Sequence, residues 1–156
     1  MASTTSHTVS RIVSGGQTGV DQGALDAAIW LGIDHGGWCP RGRRSEAGPI
    51  PERFQLEEME ERDYSVRTEQ NVVDSDATLV LFRDALSGGT AFTVRMTKKH
   101  EKPCLTVDLT LEYDFQVVRK WLSDHEVETL NVAGPRASSQ EGIAEESRQF
   151  IVDLLR

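Results

Sequence analysis

The hydrophobic positions of this chain fall into blocks of two kinds. The run Ala77–Phe82 is almost continuously apolar, which is typical of a parallel strand buried on both faces. In Val20–Leu31, Leu25, Ala28 and neighbouring alanines recur at helical spacing, and Gly32 follows as a C-terminal glycine. Strand and helix blocks alternate along the rest of the chain. The pattern predicts an α/β fold, a Rossmann-like three-layer sandwich with a mainly parallel sheet of about five strands.

The other elements follow from the same criteria. Tyr64–Val73 is predicted to be a helix with Tyr64, Arg67, Thr68 and Asn71 on one face. Residues 39–53 contain three prolines, two glycines and several arginines, so we expect a long, ordered or functional loop there. The remaining predicted strands are 11–14, 35–38, 103–109 and Thr129–Ala133, and the remaining helices are 88–100, 115–122 and Ile143–Leu155.

The length of 156 residues suits one domain with its own core. We predict a disordered lead-in over residues 1–10 and a single anion- or cofactor-binding domain over residues 11–156. No stretch is long enough to span a membrane, and the start lacks a secretory signal. Cys39 and Cys104 have neither disulfide nor metal-ligand spacing. These features predict a cytoplasmic protein with reduced thiols and no metal site.

Charge narrows the choice of ligand. A net charge of −8 and a pI of about 5.0 argue against a nucleic-acid surface. Arginine nevertheless clusters at Arg41, Arg43, Arg44 and Arg53, and its guanidinium suits bidentate contact with oxyanions. The alternative is that Arg43 or Arg44 pairs with a nearby surface glutamate.

Two glycine-rich segments follow predicted strands and precede helices. Such loops let backbone N–H groups approach an oxyanion, and the helix N-terminus adds unpaired donors. In a parallel sheet they meet at the carboxyl edge. We therefore expect a site for a small anionic molecule on two sets of residues, Gly15, Gly16, Gln17, Thr18 and Gly19 in the first segment, and Ser87, Gly88, Gly89 and Thr90 in the second.

Neither segment matches a common nucleotide motif. The first lacks the Gly-Lys-Ser/Thr ending of a P-loop and the GxGxxG spacing of dinucleotide enzymes. No acidic residue ends the second strand to hold a ribose. Asp21, in the first helical turn, suits N-terminal capping, with a ligand contact as the secondary possibility.

Seven segments together resemble the molybdenum cofactor carrier protein family, and the resemblance runs from Ile12 to the last helix. They are SGGQTGVD (14–21), GGWCPRGR (36–43), GPIPER (48–53), RTEQNV (67–72), DSDATL (74–79), SGGTA (87–91) and NVAGPR (131–136). The resemblance implies a Rossmann-like fold related to the Lonely Guy phosphoribohydrolases. It also implies a homo-oligomer that binds molybdenum cofactor (molybdopterin), molybdate or another oxyanion, with a molybdoenzyme as recipient.

Such a ligand can be matched to individual residues. Its phosphate suits the glycine-rich helix starts, Arg41, Arg43, Arg44 and Arg53 could face its oxo or phosphate oxygens, and Trp38 could stack on its pterin. Trp38 is equally well explained as a core or interface aromatic. Cys39 is better explained as a small buried thiol than as a molybdenum ligand.

The alternatives to a carrier are a nucleotide-binding sensor and a phosphoribohydrolase-like enzyme acting on a nucleoside monophosphate. The phosphoribohydrolases place a glutamate after their glycine motif, where this chain has Thr93. Glu69, on the preceding helix, could replace it. We therefore assign no catalytic residue and favour binding over catalysis.

The first helix also bears on assembly. Ala24, Ala27, Ala28, Trp30 and Leu31 spread around more than one face of it. A helix that covers a sheet needs one apolar stripe, so the excess predicts a dimer or tetramer interface.

Overall fold

A computed structural model describes residues 9–156 of the chain. Most of the predicted lead-in, residues 1–8, lies outside the described residues. Val9 is buried in the core, and the Ser10 N–H donates to Glu128 O at 2.9 Å. Val9 and Ser10, at the end of the predicted lead-in, therefore contact the folded domain.

The structure alternates strands and helices as the hydrophobic pattern predicts. The strands are β1 (Arg11–Val13), β2 (Asp34–Gly36), β3 (Trp38–Cys39), β4 (Arg44–Ser45), β5 (Gly48–Pro49), β6 (Glu57–Glu58), β7 (Ala77–Phe82), β8 (Cys104–Asp108) and β9 (Thr129–Ala133). The helices are α1 (Val20–Leu31), α2 (Tyr64–Val73), α3 (Gly88–Lys99), α4 (Phe115–Asp124) and α5 (Ile143–Leu155).

Five strands form the central sheet in the order β2-β1-β9-β7-β8, and every neighbouring pair is parallel. This confirms the predicted fold class. The last strand, β9, lies at the centre, with Leu130 opposite Ile12 on one side and Ala77 on the other. The carboxyl ends of β1, β9 and β7 are therefore adjacent.

The main core joins the sheet to α1, α4 and α5. It includes Ile12, Leu79, Leu81, Leu130 and Ile151, all fully buried. Burial of a large aliphatic side chain stabilises the fold by roughly 1.5–3 kcal/mol, so this layer dominates stability. Helix α2 packs against α3 as a separate pair.

A second, smaller cluster organises the predicted loop after β2. Ile50 and Phe54 pack against Leu25 and Cys39, with Leu56 at the edge. The short pairs β3–β6 and β4–β5 lie in the same region. The loop is therefore fixed by its own apolar anchors, and Cys39 is one of them, as its small buried side chain suggests.

Candidate functional site

A cleft of about 710 Å³ opens at the carboxyl edge of the sheet, where the strand order predicts a ligand site. Its walls come from the β1–α1, β7–α3 and β9–α5 loops and from the first half of α2. Among the residues predicted for the site, six line it: Gly15, Gln17, Ser87, Gly88, Gly89 and Thr90.

The N-terminus of α3 has free hydrogen-bond donors. Within residues 9–156, no hydrogen bond is donated by the N–H of Gly88 or Gly89, and Ser87 makes no side-chain cap. By contrast, Asp63 caps α2 and Asp114 caps α4. The first turn of α3 also carries no acidic residue. Two backbone donors and the positive end of the helix dipole are thus presented at the cleft.

The open space at α3 is visible at its glycines. A Cβ built on Gly88 or Gly89 meets no atom within 4 Å. Gly88 has φ +53°, a conformation that L side chains rarely adopt, whereas Gly89 lies outside that region. Gly89 is therefore a position where a side chain would enter the cleft without straining the backbone.

The β1–α1 loop is built differently, because its amides already have internal acceptors. The Gln17 N–H donates to Asp21 Oδ2 at 3.2 Å, and the Gly16 N–H donates to the Ser14 hydroxyl at 3.3 Å. The Thr18 N–H donates to Gln17 Oε1 at 3.1 Å. Gly16, Thr18 and Gly19 are not in the wall of the cleft. The two glycine-rich loops are therefore not equivalent: an internal carboxylate occupies the first, and the second is open.

Glycine is needed in the first loop for close packing. A Cβ on Gly15 would lie 2.3 Å from Arg67 Nε. Gly19 has φ +86°, and its Cβ would lie 2.3 Å from the carbonyl oxygen of Pro135. These glycines let α2 and the β9–α5 loop approach the loop closely.

Asp21 and Arg67 form a buried pair in the cleft wall, with Asp21 Oδ2 and Arg67 Nη2 separated by 3.9 Å. Arg67 also donates to the carbonyl oxygens of Gly15 and Tyr64 and to the Thr68 hydroxyl. Burial raises the pKa of Asp21 to about 6, although Arg67 and the Gln17 N–H act in the opposite direction. Burial also lowers the pKa of Arg67, against the attraction of Asp21.

Tyr64, the first residue of α2, has three guanidinium groups around its ring. The Cζ atoms of Arg44, Arg67 and Arg136 lie 4.5, 5.3 and 5.6 Å from the ring centroid. Arg136 is partly exposed and lines the cleft, whereas Arg44 does not. Arg136 is therefore a cation that a ligand in the cleft can reach.

Gln17 has a buried donor without a partner. Its Oε1 accepts from the N–H groups of Thr18 and Glu46, at 3.1 and 2.9 Å. Its Nε2 is buried and makes no hydrogen bond, a state shared within the described chain only by Ser147 Oγ. Because Gln17 lines the cleft, a ligand is the natural source of the missing acceptor.

Glu46, in the β4–β5 turn, joins two walls of the cleft. Its carboxylate accepts from the Thr18 hydroxyl and from the N–H and hydroxyl of Ser138. Arg136 Nη1 lies 3.8 Å from it. Glu46 and Thr18 therefore hold the β4–β5 turn, the β1–α1 loop and the β9–α5 loop together.

Besides Gly16, Thr18, Gly19 and Arg44, four more predicted ligand contacts lie outside the cleft lining. Arg43 donates to the carbonyl oxygens of Ile50, Pro51 and Phe54, so it fixes the loop from within. Arg53 pairs with Asp26 at 2.9 Å on the surface of α1.

The other two predicted contacts are Trp38, which makes structural hydrogen bonds, and Arg41, which is exposed to solvent. Trp38 Nε1 donates to Asp74 Oδ2 at 2.8 Å, and the Trp38 N–H donates to Asn71. Arg41 is exposed, and its backbone N–H donates to Glu61 O. The structure thus separates Trp38, Arg41, Arg43 and Arg53 from the two glycine loops.

Sequence reasoning missed Arg67 and Arg136 as the cations of the cleft. A signal for Arg67 was present, because a helix that covers a sheet has little reason to carry Tyr64, Arg67, Thr68 and Asn71 on one face. Arg136 follows a strand end, as the glycine loops do. Neither residue lies in the arginine cluster that drew attention by its density.

The two residues considered for catalysis are also placed. Thr93 lines the cleft, and its hydroxyl donates to Gly89 O at 3.0 Å. Glu69 lies outside the cleft lining and pairs with Lys99 and His100. Of the carboxylates named so far, Asp21 and Asp63 line the cleft.

Residues 9–156 also bear on membrane and metal binding. No helix in that range is both long and apolar enough to cross a bilayer. No cluster of three or more His, Cys, Asp or Glu side chains suited to a metal occurs there.

Comparison with known proteins identifies the family. The model of the circularly permutated YpsA SLOG family matches residues 12–155. This chain belongs to that family. It is also similar to the solved structure of a protein named "Putative molybdenum carrier protein" from Syntrophus aciditrophicus SB, with 41% identity, 95% coverage of each chain and a TM-score of 0.91. No curated protein matches the chain.

Proposed function

We propose that this SLOG-family chain binds a small, phosphorylated organic ligand in the cleft, and that it binds and carries molybdenum cofactor or its molybdopterin part. The observation that carries the proposal is the pair of free N–H groups at Gly88 and Gly89, which open onto the cleft. Phosphate groups are stabilised at such helix starts by unpaired amides and by the helix dipole. Arg136, which lines the same cleft, adds positive charge.

The size of the cleft favours an organic ligand over a bare oxyanion. Sites for organic ligands commonly enclose about 300–1,000 Å³, and the cleft volume of about 710 Å³ falls in this range. Molybdate or sulfate would fill a small part of it. We therefore expect molybdate alone to bind weakly at α3, and a phosphorylated cofactor to bind more tightly.

The similarity to the protein named "Putative molybdenum carrier protein" from Syntrophus aciditrophicus SB supports the choice of ligand. Neither cysteine nor histidine occurs among the residues that line the cleft. Such a lining suits a cargo whose metal keeps its own dithiolene ligands. A carrier of this kind would deliver its cargo to a molybdoenzyme and would act as a cytoplasmic homo-oligomer.

The decisive experiment is Gly89→Val with calorimetric titration of purified molybdopterin, phosphate and molybdate. Valine would occupy the cleft and shield the amides, yet the backbone at Gly89 accepts it. We expect binding of the preferred ligand to fall at least about tenfold, since a charge-assisted hydrogen bond contributes about 1.5–3 kcal/mol.

Gln116→Val is a matched control. Gln116 is exposed at the second position of α4, as Gly89 is in α3, and Asp114 already caps its N–H. The control should bind like the parent. A folded Gly89→Val protein that binds molybdopterin as tightly as the parent contradicts the proposed site.

Asp21 gives a second candidate function some support, namely hydrolysis of an N-glycosidic bond in a nucleoside monophosphate. A buried carboxylate in the cleft could face an oxocarbenium-like transition state, a role that Thr93 cannot fill. Chromatography of nucleoside monophosphates after incubation tests it. Base release that Asp21→Asn abolishes favours the enzyme, and intact nucleotides favour the carrier or a nucleotide sensor.

A further inference from the structure

The most informative atom in the cleft wall is Gln17 Nε2. Two backbone N–H groups hold Oε1, so the orientation of the amide is fixed and Nε2 cannot exchange places with it. The residue is only 5% exposed, and Nε2 has no partner. A buried donor in this state destabilises the free protein and is satisfied when a ligand acceptor arrives.

An acceptor lies on the same wall. Asp21 is four residues from Gln17, its carboxylate accepts the Gln17 N–H at 3.2 Å, and both side chains are buried and line the cleft. A carboxylate has about four lone-pair positions, and Arg67 at 3.9 Å is too distant for a hydrogen bond. Asp21 can therefore accept further donors from a ligand.

We propose that Gln17 and Asp21 together select a 2-amino-4-oxo-pyrimidine ring, the ring system that guanine and pterins share. Its carbonyl oxygen accepts from Gln17 Nε2, while its ring N–H and amino group donate to the Asp21 carboxylate. Adenine presents an unprotonated ring nitrogen where this ring presents N–H, so it would oppose the carboxylate. This inference rests on the proposed function, because the phosphate of the same ligand occupies the α3 N-terminus.

Two parts of the cleft lining have different chemistry. The first turn of α3 offers free N–H donors and no carboxylate, which suits a phosphate. Gln17 and Asp21 pair a donor with an acceptor, which suits a neutral ring edge. Burial raises the pKa of Asp21, which shows that the protein alone does not fully compensate its charge, and two ring donors would do so.

The test is calorimetric titration with four compounds: guanosine 5′-monophosphate, a pterin phosphate, adenosine 5′-monophosphate and ribose 5-phosphate. We expect the first two to bind about tenfold or more tightly than the last two, because a mismatched buried polar group is strongly rejected. A difference between the guanine and pterin compounds would identify the natural source of the ring.

Gln17→Glu is the sharpest variant. One carboxylate oxygen keeps the bonds from Thr18 and Glu46, and the other replaces the Nε2 donor. Guanosine monophosphate and the pterin phosphate should bind about ten- to a hundredfold more weakly, with ribose 5-phosphate changed less than about threefold. Gln116→Glu makes the same charge change on exposed α4 and should have no effect.

Equal affinity of the parent for guanosine monophosphate and ribose 5-phosphate would overturn this inference, and so would an equal loss of both in Gln17→Glu. The parent's order of affinities decides the question even if the variant does not fold. The proposed function survives either of these results if ribose 5-phosphate binds to the parent and Gly89→Val abolishes that binding. If none of the four compounds binds but molybdopterin does, this inference is wrong and the proposed function survives. If molybdopterin does not bind either, both proposals are wrong.

Discussion

Asp21 Oδ2 lies 3.9 Å from Arg67 Nη2, and both side chains are buried in the wall of the cleft. The pair spans the first loop and α2, and it places a carboxylate where the sequence predicted an external anion. The backbone N–H of Gln17 thus donates to Asp21 and is not free for an external anion. The free donors of the site lie at α3 instead.

Burial of Asp21 predicts a pH-dependent effect on stability. Its pKa in the folded protein, about 6, lies above the ordinary value of 3.8. The associated stability is fully present below pH 3.8 and is lost as pH rises through about 6, a loss of up to about 3 kcal/mol. We would measure the unfolding free energy of Asp21→Asn and of the parent in urea at pH 4.5 and 7.0. The parent should lose stability relative to Asp21→Asn at the higher pH. A shift in the other direction would contradict the buried, poorly compensated carboxylate.

Substitution by alanine should destabilise the protein at Gly15 but have little effect on stability at Gly89. At Gly15 the new Cβ would overlap the Arg67 guanidinium, so we expect Gly15→Ala to lower the free energy of unfolding by about 1–3 kcal/mol. At Gly89 the Cβ meets open space, so Gly89→Ala should change stability by less than about 1 kcal/mol. Urea unfolding of both variants measures this, and equal losses would mean that the two loops do not differ as described.

The arginines should separate into a loop anchor, a surface pair and a ligand contact. Arg43→Ala leaves several carbonyl oxygens without their donor and should cost about 1.5–3 kcal/mol of stability. Arg53→Ala removes a mostly exposed pair and should cost less than about 1 kcal/mol. Arg136→Ala alone of the three should weaken ligand binding, by about tenfold. Scanning calorimetry measures the stability of the three variants, and titration calorimetry measures their ligand binding. A large loss of binding in Arg53→Ala would contradict the placement of the site.

Assembly should depend on the exposed end of α1. Trp30 is 60% exposed and Ile29 is 42% exposed, although most residues of α1 are buried and the helix packs against α5. We expect sedimentation to show a dimer or tetramer at micromolar concentration and Trp30→Lys to shift it toward monomer, because a buried lysine would oppose the interface. Leu111→Lys, on an exposed loop before α4, is the control. A monomeric parent protein would disprove the assembly prediction.

The sequence predicted the parallel sheet, and with it the edge at which the cleft opens, for a physical reason. Short, continuously apolar runs such as Ala77–Phe82 favour a buried strand, and parallel order then brings the strand-end loops together. Which polar groups face the cleft is a different problem. Arg43 turns inward because Ile50 and Phe54 pack on Leu25, and that packing joins residues distant in the sequence.

The same reasoning explains the contrast between the glycine loops. Gly15-Gly16 and Gly88-Gly89 look alike in the sequence. Asp21 lies close enough to bond the amides of the first, whereas Ser87 leaves those of the second free. Local composition could not reveal this difference, since it depends on side-chain direction.

The central position of β9 has a consequence for the order in which the molecule is made. During synthesis, β1–β2 and β7–β8 can each pair before residue 129 leaves the ribosome, but no strand joins these two parts of the sheet until Thr129–Ala133 is inserted between them. The cleft wall then also gains residues 134–140. The central sheet of a nascent chain thus stays in two parts until β9 is made, and the cleft is completed in one late step.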